Sequence, residues 1–156
     1  MIEGAESLIK KLSDIDTEMQ KRIVHKAVGR GIQTVRAEAV LLCPVDTGEL
    51  RGSIMTTVED DSEGNATGTV YTNKEYAPYV EFGTGPVGQS EHDGISPDVS
   101  VQYRQKGWSY LNDEGEWQYT NGQPAQPFLY PALKNNEERV TKQIKEDIRK
   151  ELEGFV

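Results

Sequence analysis

The chain has 156 residues, of which 35% are hydrophobic, with a mean hydropathy of −0.66 and a formal net charge of −9. That length predicts one domain, 1–156, with a modest core. Its longest wholly apolar run, Ala39–Cys43, is far short of the ~20 residues a membrane helix needs, and MIEGAESLIKK is no secretory signal. Cys43 is the only cysteine, so no internal disulfide is expected, which suits a reducing cytoplasm.

From the N-terminus, Leu8, Leu12, Ile15, Met19, Ile23 and Ala27 recur at spacings of three and four, and Val28, Ile32, Val35, Ala39 and Leu42 continue the stripe. Residues 4–42 are therefore helical. The span is too long for one ordinary helix, and Ser13–Asp16 supplies a break in which Asp16 can cap a new N-terminus. The expected helices cover 4–12 and 17–42. Gly29 and Gly31 each cost ~1 kcal/mol relative to Ala inside a helix, which suggests a kink or a close approach by a neighbouring backbone. Pro44 lacks an N–H and disfavours helix at Cys43, so the helix stops there.

Cys43–Ile54 reads CPVDTGELRGSI. Asp46 can cap a tight turn, Gly48 can supply positive φ, and Leu50 can tuck underneath. Residues 51–122 have β character. Ser53–Glu59 and Ala66–Thr72 flank a polar loop and form a hairpin. Trp108–Leu111 and Glu116–Thr120 flank Asn112–Gly115 and form a second, with Val99–Arg104 a possible additional strand. Residues 83–97 hold Gly and Pro without periodicity and are expected to be a long loop.

Gln126–Leu133 reads QPFLYPAL. Phe128 and Tyr130 would anchor it, and Pro131 opens a helix over 131–153 at a favoured first-turn position. The apolar stripe of that helix is Leu133, Val140, Ile144, Ile148 and Leu152. The fold class is α+β: an antiparallel sheet with the long N-terminal and the C-terminal helix packed on one face, plus a protruding loop and hairpin region.

Charge is uneven along the chain. Residues 51–127 carry four Lys/Arg against twelve Asp/Glu, while 1–50 carry seven against eight and 128–156 six against six. The acidic middle repels phosphate, so ordinary duplex binding is not expected. Glu59, Asp60, Asp61 and Glu63 form its densest run. They are either a solvated face, a docking face, or the wall of a channel past which DNA slides without sticking.

Several short patterns imitate catalytic sites. Asp46-Thr47-Gly48 spells the triplet of aspartic proteases, but with one copy per chain two subunits would have to meet there. It also follows a Pro-terminated helix and precedes Glu49. Gly83-Thr84-Gly85-Pro86-Val87-Gly88 matches G-x-G-x-x-G, but no helix is expected after it to hold a phosphate. His25, His92 and Cys43 lie in unrelated contexts without metal-ligand spacing, so neither metal nor cofactor is expected. His25 reads as a solvated helix residue. Glu81 is expected to accept bonds from the Gly83–Gly85 backbone or to pair with Arg51. Trp108, Trp117, Tyr103, Tyr110 and Tyr119 have acidic neighbours, which favours packing over stacking on single-stranded nucleic acid.

In this order, CPVDTGELRGSI, YAPYVEFGTG (Tyr76–Gly85) and QPFLYPAL resemble the tail-component family of long-tailed bacteriophages and prophages, over roughly residues 5–153. The positions that carry the resemblance are Pro44, Asp46, Thr47, Gly48, Leu50 and Ser53; Tyr76, Ala77, Glu81, Gly83, Thr84 and Gly85; and Pro127, Phe128 and Pro131. It implies a non-enzymatic virion protein of the tail or neck, assembled in the host cytoplasm and forming a hexameric ring. Its expected partners are a head connector or stopper and a tail tube or terminator, with double-stranded DNA passing through unbound and no membrane involved. The competing expectation is a homodimeric aspartic protease that uses Asp46-Thr47-Gly48 on phage structural precursors.

Overall fold

A computed structural model of the chain describes residues 4–154. Helix α1 covers Ala5–Ser13 and α2 Thr17–Leu42, followed by a single turn, α3, at Glu49–Gly52. Strands β1 (Met55–Asp60) and β2 (Ala66–Tyr71) come next, then two short helices, α4 (Ala77–Phe82) and α5 (Gly85–Ser90). Strands β3 (Trp108–Leu111) and β4 (Trp117–Thr120) precede the last helix, α6 (Tyr130–Glu153). The α+β class is as expected, and α2 has the expected bounds. At its start Asp16 Oδ1 accepts from the Glu18 N–H at 3.5 Å, a long cap bond.

The strands form two separate antiparallel pairs, β1 with β2 and β3 with β4. Val99–Arg104 is not a strand, and the loop expected over 83–97 contains α5. Pro86 sits in the first turn of α5, where its missing N–H costs nothing.

By internal contacts the chain sorts into two compact units. The first comprises Met1–Ala37, Met55–Tyr71 and Asn135–Val156. Ile23 and Ala27 of α2 are buried there with Ile148 and Leu152 of α6, and Leu8, Leu12, Ile15, Met19 and Ile144 close around them. The expected α6 stripe holds from Val140 to Leu152 but not at Leu133, which is 52% exposed. At Gly31 a Cβ would lie 2.7 Å from Ile144 Cγ1, so α6 passes close to α2 there. The close neighbour is a side chain rather than backbone. On another side of α2, a Cβ at Gly68 of β2 would come within 3.1 Å of Val28 and Ile32. Lys26 and Arg30 of α2 hold Glu151 of α6, at 2.7 and 3.5 Å.

The acidic run Glu59, Asp60, Asp61 and Glu63 lies at the far end of this unit's hairpin. Asp60 is the last residue of β1, opposite Ala66, and its Oδ2 accepts from His25 Nδ1 at 2.8 Å. His25 is thus tied to the hairpin rather than merely solvated. Asp61 builds the turn: its Oδ1 accepts from the N–H groups of Glu63 and Asn65 at 2.8 and 2.9 Å, and its Oδ2 accepts from Asn65 Nδ2 at 2.8 Å.

The second unit comprises Glu38–Ile54 and Thr72–Lys134. Its buried apolar residues include Ala39, Cys43, Leu50, Ile54, Ala77, Phe128 and Ala132. Among the described residues no helix is long and apolar enough to cross a membrane.

Candidate functional site

All three diagnostic segments belong to the second unit, whose fold brings them together. The first forms a corner after α2. Gly48 has φ 87°, the left-handed conformation that favours Gly, and α3 begins directly after it. Leu50 is buried beneath, as expected. The side-chain acceptor in this turn is Thr47 Oγ1, which takes the Glu49 N–H at 3.4 Å, so Asp46 is not the cap. Arg51 Nη2 donates to the Cys43 carbonyl at 3.0 Å, and Ser53 Oγ donates to the Leu50 carbonyl at 2.7 Å and meets Thr72 Oγ1 at 2.6 Å. Burial raises the Cys43 thiol above its ordinary pKa, with Arg51 opposing and Glu81 adding to the rise.

The second and third segments meet through Glu81. Pro78 starts α4 in its first turn, and Glu81, one helical turn later, points inward and is 5% exposed. Its Oε2 accepts from the Phe128 and Leu129 N–H groups at 2.7 and 3.0 Å, and its Oε1 accepts from Tyr130 N–H at 3.0 Å. These donors lead into α6, so a carboxylate sits where helix N–H groups lack partners. Glu81 thus accepts backbone bonds as anticipated, but from 128–130 rather than 83–85, and Arg51 bonds elsewhere. Pro127 precedes this clamp, and Pro131 lies in the first turn of α6.

The Gly83–Gly85 turn has another role. Gly83 has φ 74°, and a Cβ there would strike Ala125 N at 2.7 Å and Gln123 O at 2.8 Å. Thr84 and Gln123 exchange backbone bonds at 2.9 and 3.1 Å in an isolated antiparallel bridge, and Thr84 Oγ1 also accepts from the Gln123 N–H at 3.1 Å. The glycine-rich pattern is therefore a close backbone crossing with no room for a phosphate. Tyr103 extends it, donating its hydroxyl to the Phe82 carbonyl at 2.7 Å, while its ring stacks on His92 at 5.7 Å.

An open depression of about 1370 Å³ lies between the corner and the α4–α5 turn, bordered by Val45, Asp46, Tyr76, Tyr79, Phe82 and Trp108 among others. Val45 and Tyr79 are more than half exposed. The lining mixes apolar and aromatic side chains with polar and charged ones, among them Asp46, Glu49, Arg104 and Asp113. Asp46 is exposed on the rim. Among the described residues no three His, Cys, Asp or Glu side chains are placed to share a metal ion.

The three segments stand out in the sequence, but their partners do not. Glu81 and Phe128 are 47 positions apart, and nothing local in either sequence specifies the other.

The sequence model of the bacteriophage HK97-gp10 tail-component family matches residues 6–83. The match takes in the first segment and most of the second, and ends at the Gly83 crossing. No curated protein and no solved structure matches the chain. The chain belongs to the HK97-gp10-like family of bacteriophage tail components.

Proposed function

We propose that this protein is a non-enzymatic virion component that forms a ring, six-membered by the symmetry of phage tails, at the head-proximal end of the tail or in the neck. The ring joins the tail tube, or its terminator, to the head connector or stopper. It assembles in the host cytoplasm and lets double-stranded DNA through without binding it. The observation that carries this reading is family membership over residues 6–83. It is supported by unusual exposure of large apolar side chains: Trp117, Tyr119, Tyr79, Leu41, Leu111 and Val45 are all more than half exposed. Surfaces of that kind mark contacts with other proteins. Heterologous contacts that close after a fixed rotation make rings.

The acidic run fits the passage of DNA. Six copies of Glu59, Asp60, Asp61 and Glu63 around a narrow bore would repel phosphate from every side. The test is genetic and structural. Phage made without the protein should yield filled heads and separate tails in electron micrographs. Normally joined, infectious particles from the same deletion would refute the joining role.

A further inference from the structure

We propose that the β3–β4 ribbon is the head-to-tail contact between copies of this chain, the acidic tip of one copy seating against the basic root of the next. The proposal rests on the ring reading and assigns a surface to it. Residues directly opposite in an antiparallel pair share a face. Leu111 opposite Trp117, and Ser109 opposite Tyr119, therefore form one face of the ribbon. On that face Leu111, Trp117 and Tyr119 are 55%, 71% and 67% exposed. On the other face Tyr110 and Gln118 are exposed as well, and only the root pair Trp108 and Thr120 is half-buried. A two-stranded ribbon with so little covering is marginal by itself in water.

Its two ends are oppositely charged. The tip carries Asp113, Glu114 and Glu116, all exposed. The root carries exposed Arg104 and Lys106, with the Arg104 guanidinium 5.3 Å from the Trp108 ring centroid. The tip is preshaped: Asn112 Oδ1 accepts from the Glu114 and Glu116 N–H groups at 3.0 and 2.9 Å, and Gly115 turns with φ 79°. Little ordering is then left for the moment of binding.

The second copy is the occupant because it answers both ends at once. A basic foreign partner would satisfy the tip and leave the root unexplained. The unit as a whole is acidic, with five Lys/Arg against eleven Asp/Glu in 38–54 and 72–134. Two copies therefore carry like charge overall, against which a tip meeting a root is an attractive contact. The three exposed apolar side chains present roughly 300–400 Å², about half of the ~800 Å² per partner of a stable interface, so the ribbon is one part of the subunit contact. Tip-to-root pairing is heterologous, as ring closure demands.

Cross-linking tests this on the full chain. In Lys106→Cys/Glu114→Cys, mild oxidation should give a covalent ladder that rises to the size of the ring seen by native mass spectrometry. Each single variant should give none. Cys43 does not interfere, being 1% exposed with a raised pKa. A ladder that stops at two chains would mean a symmetric contact and overturn the head-to-tail assignment. A wild-type ring with no cross-linking in the double variant would overturn the ribbon contact and leave the ring intact. A wild-type monomer under all conditions would overturn both. As a second measurement, Glu114→Lys/Glu116→Lys should weaken assembly on the order of tenfold or more, and adding Arg104→Glu/Lys106→Glu should restore it. Assembly unchanged by the tip reversal, in a variant with wild-type circular dichroism, also counts against the contact.

Discussion

The Phe128 N–H donates to Glu81 Oε2 at 2.7 Å, and both residues are buried. This bond ties α4 to the start of α6. Glu81→Ala strands three backbone donors and should cost on the order of 2–5 kcal/mol. Glu81→Gln keeps one acceptor oxygen and should cost less. Urea midpoints of the two variants against wild type check the order; equal stability for all three would show that the clamp contributes nothing.

Two glycines in α2 should respond to alanine with opposite signs. At Gly29 a Cβ would sit 3.7 Å from Val58, an ordinary contact, so Gly29→Ala should stabilise by up to ~1 kcal/mol through helix propensity. At Gly31 the new Cβ would meet Ile144 at 2.7 and 2.9 Å. Overpacking should outweigh propensity there, for a net loss of about 1–2 kcal/mol. Ile144→Val should recover part of that loss, and thermal melts of the three variants measure it.

The ends of α6 should also differ. Ile148 is 9% exposed in the first unit's core, and Ile148→Ala should cost about 2–4 kcal/mol. Leu133 is 52% exposed, and Leu133→Ala should fall within about 0.5 kcal/mol of wild type. A large cost at Leu133 in an assembled sample but not in a dissociated one would place that residue in a subunit contact.

Two carboxylates should make the protein acid-sensitive. The Asn65 side chain, with backbone N–H donors, holds Asp61 below its ordinary pKa, and the Lys26 ammonium with Arg30 does the same for Glu151. Because both folded values are depressed, the stabilisation is present above the unfolded carboxylate range of about 4. It is lost as pH falls from there through the folded values. Melting temperature should therefore fall on acidification more steeply for wild type than for Asp61→Asn/Glu151→Gln. Parallel pH profiles would contradict the assignment.

The acidic run can be separated into two roles. Asp61 shapes the β1–β2 turn and Asp60 meets His25, so changing either disturbs the hairpin as well as its charge. Glu59→Gln/Glu63→Gln removes charge without those bonds. Particles carrying it should assemble but eject DNA more slowly, measured by dye uptake on released DNA. Failure of heads and tails to join would assign the run to docking instead.

Long regular elements were legible in the sequence because their signal is periodic. The α2 stripe from Met19 to Leu42 marks a helix whatever it packs against, and Trp108–Leu111 with Trp117–Thr120 carries β-forming residues around a turn. Elements made by tertiary contact were not legible. Helices α4 and α5 have six residues each, too few for periodicity to show, and α5 depends on the distant bridge between Thr84 and Gln123. Leu133 shares the spacing of Val140 and Ile144, but spacing cannot tell where along a helix the neighbouring core ends. Glu81 was recognisable as an acceptor, yet its donors at 128–130 follow only from the fold.

Cryo-electron microscopy of intact particles tests the central claim most directly. The account predicts a six-fold ring of this chain at the junction of tail and head, with the β1–β2 turns facing the bore and the β3–β4 ribbon of each copy against its neighbour. Finding the chain elsewhere in the particle, or missing from mature virions, would contradict it.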